Sequence, residues 1–232
     1  MPKRFYKSVG VAALDTGWSI ELDGRRIKTP GKVDLSLPSE TLAEAVAAEW
    51  RAQGETIDLQ SMALTRLANV AIDRTPSQRD AIADEIARYA ETDVTCYLCD
   101  GPMALRARQD EAWSPWRTWA GQTLNVVLVP VEGVLAIPQP AASLQAVRQH
   151  VLGMDDFQLT GVSWACSLLG SAVLALACEH GALDVPQALL LSCIDEDWQI
   201  EQWGEDDEAR LARDARKNDA AAVEIWFRAG AL

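Results

Sequence analysis

The chain has 232 residues, of which 49% are hydrophobic and 24% charged, a composition typical of a globular protein that is long enough to bury a core. Its formal net charge of −13 argues against a nucleic-acid-binding protein, because such a protein needs a basic surface that neutralises phosphates. A chain this acidic is instead attracted to basic surfaces.

The cysteines and the N-terminus indicate the compartment. Five cysteines, an odd number, lie mostly in apolar helical contexts, which suits reduced thiols better than a disulfide framework. The basic N-terminus is not followed by an apolar run, so no signal peptide is expected. It also lacks an amphipathic leader rich in arginine and serine.

The first forty residues have the pattern of β-structure. Apolar residues alternate in "WSIEL" (18–22) and in "VDLSL" (33–37), and the Asp-Gly pair at 23–24 is a tight-turn signal. The period then changes to that of helices. Ser39 is predicted to cap a helix that ends at Gly54, and a second helix follows over 64–73.

The rest of the chain is predicted to be mostly helical. "TPSQ" (75–78) is a helix start, with Thr75 as the N-cap. Further helices are expected over 103–120 with a break at Pro115, and over 141–152, 158–180, 185–203 and 205–228. The exception is an extended run over 125–137, a candidate for return to the N-terminal sheet.

The predicted fold class is therefore α+β. A small β-rich N-terminal domain (1–74) is followed by a larger, all-helical C-terminal domain (75–232). The uncharged stretch 157–178 is long enough to cross a membrane, but its five polar side chains and acidic flanks favour a helix buried in a core, with Gly161 and Gly170 admitting close neighbours.

Several catalytic and metal motifs are missing. "CYLC" (96–99) has the spacing of a metal or redox pair, but the chain has no second such pair, and its two histidines, His150 and His180, are far apart in sequence. Two reduced thiols at the end of a helix are the favoured interpretation. The sequence also has no phosphate-binding glycine loop and no nucleophile elbow.

The stretch 192–217 is the most unusual feature, with eight carboxylates between Asp195 and Glu208 and two tryptophans among them. On one helix, the apolar stripe through Ile194 and Trp198 would continue as Glu201 and Glu205. A solvated helix would place its acids opposite the stripe, whereas acids beside tryptophan are typical of a protein-binding surface. The pattern alone leaves both interpretations open, and a hydrolytic carboxylate pair as well.

Six segments resemble a family of assembly chaperones that hold the alpha subunit of the F-type ATP synthase catalytic sector. They are "LDGRRIKTP" (22–30), "AAEW" (47–50), "LTRLANVAID" (64–73), "ETDVTCY" (91–97), "QDEAWSPWRTWAG" (109–121) and "IDEDWQIEQWGEDDEA" (194–209). They span nearly the whole chain in the family's order, and the last is the most specific. One departure is Leu98, where the family often has arginine.

The resemblance implies an ATP-independent chaperone that binds the unassembled alpha subunit and promotes its assembly with beta. It implies no enzymatic activity, no cofactor, no metal, no nucleotide, no nucleic acid and no membrane insertion. Eukaryotic members of the family work in the mitochondrial matrix. Because this chain starts without an amphipathic leader rich in arginine and serine, we expect a bacterial cytoplasm instead. The family's functionally sensitive acid falls on Glu201.

The candidate partner-binding residues lie in two places. Around Glu201 they are Trp198, Gln202, Trp203, Glu205 and Asp206, and a second candidate surface is the basic hairpin with Arg25 and Arg26. The alternatives are a general holdase without a dedicated client and a carboxylate-dependent hydrolase.

Overall fold

A computed structural model of the chain describes residues 2–133, 135 and 137–230. Its fold class is α+β, as predicted. The strands are β1 Val9–Leu14, β2 Gly17–Leu22, β3 Arg25–Arg26, β4 Ser36–Leu37, β5 Tyr97–Leu98 and β6 Val131–Glu132. The helices are α1 Glu40–Arg51, α2 Ala63–Asp73, α3 Thr75–Glu91, α4 Met103–Leu124, α5 Ala141–Leu152, α6 Asp156–Leu169, α7 Ala172–Glu179, α8 Val185–Ser192, α9 Ile194–Trp203 and α10 Asp207–Gly230.

The contacts divide the chain into two compact units. The first contains the residues up to Arg79, a short stretch at 155–161 and the C-terminal end from Ile225 onwards. The second contains Asp80–Met154 and Val162–Glu224. The first unit therefore includes two short pieces of the C-terminal half of the chain.

An antiparallel sheet forms the N-terminal part of the first unit. β1 pairs with β2, which also pairs with β3 and β4. The predicted turn at Asp23–Gly24 is confirmed, since both residues have positive φ (50° and 76°), as a type I′ turn requires. Alternation places Ile20 and Leu22 in the core. Leu35 and Leu37 are buried as well, whereas Val33, predicted to alternate with them, is 52% exposed.

Two of the predicted helices of this unit are confirmed. Ser39 caps α1 by accepting a hydrogen bond from the Leu42 N–H at 3.1 Å. α2 has no cap of its own, and Glu49 on α1 replaces it by accepting from the N–H groups of Leu64 and Thr65 at 2.7 and 2.8 Å.

The helix α3 begins at Thr75 itself, so the prediction that Thr75 is its N-cap is wrong. The buried Thr75 hydroxyl lies 2.7 Å from that of Thr160 and donates to the Val70 carbonyl. It therefore links packed segments instead of capping the helix.

The predicted break at Pro115 is absent, because α4 continues from Met103 to Leu124. Proline removes the hydrogen bond to the Glu111 carbonyl, but both residues are exposed, so solvent can reach that group. The buried residues Trp113 and Ala120 on either side hold the helix together.

The extended run 125–137 does not return to the N-terminal sheet in the part of it that the structure describes. Its β6 strand pairs in parallel with β5, so that Tyr97 lies opposite Val131. Val134 and Ala136 of this run lie outside the described residues.

The apolar stretch 157–178 forms two helices, α6 and α7, which are separated at Gly170 and Ser171. Gly170 has a φ of +61°, and Ser171 caps α7 by accepting from the Leu174 N–H. Gly170 thus serves the turn and not close packing, whereas a Cβ on Gly161 would lie 2.7 Å from the Trp226 ring. All residues of α7 from Ala172 to Cys178 are buried, and no helix in the described chain is long and apolar enough to span a membrane.

Candidate partner-binding surface

Glu201 lies on α9 and pairs with Arg108 of α4. One guanidinium nitrogen of Arg108 is 2.8 Å from each Glu201 carboxylate oxygen, and both side chains are about half exposed. The guanidinium carbon of Arg108 also lies 4.9 Å from the ring centroid of Trp198, a cation–π contact. Hydrogen bonding to Arg108 lowers the pKa of Glu201. The acid is therefore ionised and oriented at neutral pH.

Two other residues of α4 hold the segment that leads into α9. The buried Gln109 donates to the Asp195 carboxylate at 2.7 Å and accepts from the Cys99 N–H at 2.8 Å. The fully buried Trp113 donates to the Leu191 carbonyl at 2.8 Å. These bonds fix the end of α8 and the start of α9, where the chain breaks its helix at Cys193.

That break contradicts the prediction of one helix over 185–203. The apolar stripe is interrupted, and no residue of α9 is buried. Trp198 is half-buried under Arg108 and not in the core.

α9 and the first half of α10 form a helical hairpin of residues 194–219, which we call the acidic hairpin. Gly204, with a φ of +85°, ends α9 as predicted. Arg213 bridges Asp197 and Glu205, the latter at 3.3 Å. Arg216 pairs with Glu196 at 2.9 Å. Arginines on α10 therefore clamp the carboxylates of α9.

An open groove of about 430 Å³ runs between the two helices of the acidic hairpin. Its walls include Ile200, Trp203, Glu205, Asp206 and Arg213. The structure thus brings together three of the predicted residues, Trp203, Glu205 and Asp206, along one groove. Glu201 and Gln202 are exposed on α9 but do not line it.

Asp206 begins α10 by accepting a hydrogen bond from the Ala209 N–H at 2.8 Å. Asp206 does not pair with Arg210, although their i, i+4 spacing would allow a pair on one helix. Arg210 pairs with Asp207 at 2.9 Å instead, because the carboxylate of Asp206 caps the helix.

Arg25 and Arg26 form the short strand β3 in the first unit, and both are exposed. With Phe5, Trp50 and neighbouring residues they line a groove of about 510 Å³. The ring of Phe5 is 73% exposed there. The basic hairpin is therefore the wall of a separate groove.

Several known proteins are similar to this chain over nearly its whole length. A model of the ATP12 chaperone protein family matches residues 3–121. The crystal structure of Atp12 from Paracoccus denitrificans has a TM-score of 0.91 and 40% identity, and the match covers 99% of this chain and 98% of that chain. The chain belongs to the ATP12 chaperone family.

Two further relatives support the assignment. The Atu1473 protein of Agrobacterium tumefaciens is 38% identical with a TM-score of 0.92, over 98% of this chain and 86% of that chain. The mitochondrial protein atp12 of Schizosaccharomyces pombe is 23% identical over 97% of this chain and 82% of its own length. The resemblance found in the sequence is thereby confirmed, and this chain, as a member of the family, is a chaperone of ATP synthase assembly.

The geometry does not favour Glu201 as the general acid of a carboxylate-dependent hydrolase. A general acid needs a raised pKa, whereas the pKa of Glu201 is lowered by Arg108. The Cys96 thiol is equally unsuited to chemistry, because burial raises its pKa to about 12.

Sequence reasoning missed the arginines of the surface, above all Arg108, Arg213 and Arg216. Arg108 immediately precedes the "QDEAWSPWRTWAG" segment, and the two others lie on the amphipathic α10. The signal was the acidic stripe itself, since carboxylates that continue an apolar face need cations from a neighbouring helix.

Proposed function

We propose that this chain holds the unassembled alpha subunit of the F-type ATP synthase catalytic sector before alpha assembles with beta. The acidic hairpin is the surface that binds the alpha subunit. The observation that carries the location is the exposed Trp203 beside a groove on a hairpin whose first helix has no buried residue. The choice of alpha rests on the sequence resemblance, which family membership supports.

The apolar side chains of the acidic hairpin are unusually exposed. Trp203 is 79% exposed and Leu211 is 64% exposed. A large aromatic ring in water is costly for a soluble surface, and tryptophan is the side chain most often found as an anchor at protein interfaces. We therefore assign Trp203 as the anchor.

The charge of the acidic hairpin favours a basic partner surface. Residues 194–219 contain ten carboxylates and four basic side chains, so the surface stays acidic after its internal pairing. Such charges choose and steer a partner more than they add affinity. The internal arginines already hold the carboxylates in place, so binding of the partner costs little additional side-chain entropy.

A chaperone of this kind must also release its client. An assembly interface that is exposed before its partner arrives aggregates unless it is covered. A chaperone that binds its client through a polar groove and one aromatic anchor can be displaced, whereas one that binds through a large dry interface cannot. The mechanism uses no nucleotide and no catalytic residue. We propose a bacterial cytoplasm as its location, and the similarity to two bacterial proteins at 40% and 38% identity supports this proposal.

The test is capture of freshly synthesised alpha and beta subunits by the purified chain and by Trp203→Ala. Trp203 is so exposed that its removal should leave the melting temperature unchanged. The control is Met103→Ala on α4, which removes a side chain with similar exposure, 77%. We expect selective capture of alpha, reduced at least tenfold in Trp203→Ala and unchanged in Met103→Ala.

Two outcomes would contradict the proposal. Equal capture of alpha, beta and an unrelated aggregation-prone protein would favour a general holdase. Selective capture of alpha that Trp203→Ala leaves intact would move the binding surface away from the acidic hairpin, with the groove at Arg25 and Arg26 as the next candidate.

A further inference from the structure

The only two histidines of the chain, far apart in sequence, lie side by side in the second unit. The ring centroids of His150 and His180 are 5.2 Å apart. Glu179 completes a cluster, with its carboxylate 3.0 Å from Nδ1 of His180. One ligand-type atom of each of the three residues lies within 4.8 Å of the other two. The two histidines, far apart in the sequence, are therefore neighbours in the fold.

We propose that His150, Glu179 and His180 form a binding site for a divalent transition-metal ion of the zinc class. Two imidazoles and one carboxylate are a known zinc ligand set, with the fourth position open to water. Ligand atoms around tetrahedral zinc lie ~3.4 Å apart. The ligand-type atoms of this cluster, within 4.8 Å of one another, are already near that spacing.

The state of His150 supports the assignment. Its Nε2 atom is buried and has no hydrogen-bond partner, although a buried polar nitrogen normally has one. A metal ion would give this lone pair a ligand bond.

The helix ends around the cluster favour a cation. His150 lies in the last turn of α5, and Glu179 and His180 lie at the C-terminal end of α7. Two helix C-termini, each carrying a partial negative charge, therefore meet at the cluster. The ring of Trp119 from α4 packs edge-on against His180, with the centroids 5.5 Å apart, and covers one side. A bound ion would join the ends of α5 and α7 within the second unit.

The experiment is a titration of the purified full chain with zinc alone, followed by calorimetry, and with cobalt alone, followed by its visible absorption. We expect one equivalent of metal to bind. His150→Ala and His180→Ala should each weaken binding at least tenfold, with unchanged circular dichroism. Because His180 is exposed, its variant carries the test if His150→Ala fails to fold.

The controls separate this site from other ligands in the chain. Cys99→Ser removes a half-buried thiol, and Asp80→Asn removes an exposed carboxylate paired with Arg148. Both should bind the metal as the unchanged chain does. Absence of binding at millimolar metal, binding that survives loss of both histidines, or binding lost in Cys99→Ser would overturn the proposal. The outcome does not depend on the client.

Discussion

Asp93 is the most constrained acid in the second unit. Its carboxylate is fully buried and accepts hydrogen bonds from the Ser171 hydroxyl at 2.8 Å, from the Val173 N–H at 3.0 Å and from both donors of Thr95. It thus joins the start of α7 to the turn before β5. This role explains why the segment "ETDVTCY" has a buried acid at position 93.

Replacing Asp93 with alanine should lower the free energy of unfolding by about 3 kcal/mol, because several buried donors lose their acceptor at once. Urea denaturation followed by circular dichroism measures this change. Asp100→Ala, at an exposed position just after β5, serves as the control and should change stability by less than about 0.5 kcal/mol. Equal effects of the two variants would contradict the assigned role.

A double-mutant cycle distinguishes two roles of Glu201, direct contact with the client or positioning through Arg108. If Glu201 acts through the pair, Glu201→Gln and Arg108→Gln should weaken alpha capture equally, and the double variant should be no worse than either. We expect this result, because the carboxylate is already bonded on both oxygens. Additive losses would show that Glu201 contacts the client directly. Asp80→Asn, which breaks another exposed arginine pair, should have no effect on capture.

The Arg108 pair also makes a prediction about pH. The pKa of Glu201 is lower in the folded chain than in the unfolded chain, so the pair stabilises the fold above the unfolded pKa and loses this effect as pH falls through the folded pKa. A carboxyl-detected NMR titration should give a midpoint below about 4.3, the ordinary value for glutamate, and Arg108→Gln should bring it back there. Identical midpoints in the two proteins would contradict the pairing.

At the scale of elements, the sequence predicted what depends on neighbours along the chain. Ser39 caps α1 and Asp23–Gly24 make the turn, because both effects involve only a few consecutive residues. The errors depend on distant contacts. α4 continues through Pro115 because Trp113 and Ala120 are packed, and β5 pairs with a strand more than thirty residues away.

The sequence indicated where the candidate surface lies, but not its helix break or its ion pairs. The acids and tryptophans of 194–209 identified the acidic hairpin. The sequence did not show that Cys193 would break the helix, or that the carboxylates would be neutralised by Arg108 and Arg213. Ion pairs between helices follow from packing, which local periodicity does not contain.

Gly204 sets the geometry of the acidic hairpin, and Gly204→Ala should disturb it. Its φ of 85° and ψ of 168° lie in a region that is almost restricted to glycine, at a cost of about 1–3 kcal/mol for other residues. Because the acidic hairpin is peripheral, we expect faster amide exchange over 194–219 and weaker alpha capture, with little change in melting temperature. Gly54→Ala, where a Cβ meets no atom within 4 Å, is the control and should change neither.

At the scale of the whole molecule, different parts of the chain provide stability and partner binding. The apolar helices of the second unit, such as α7, are almost fully buried and give it stability. The acidic hairpin has little buried surface and is held by ion pairs. Such pairs fix the positions of its side chains but protect its backbone amides only weakly against exchange. This division suits a chaperone that must bind and release without unfolding.

Hydrogen exchange of the chain with and without the alpha subunit tests the central claim most directly. We expect slower exchange over 194–219 when alpha is present, no slowing when beta replaces alpha, and no slowing with alpha in Trp203→Ala. Unchanged exchange over 194–219, with protection appearing around Arg25 and Arg26 or nowhere, would contradict the claim that the acidic hairpin holds the client.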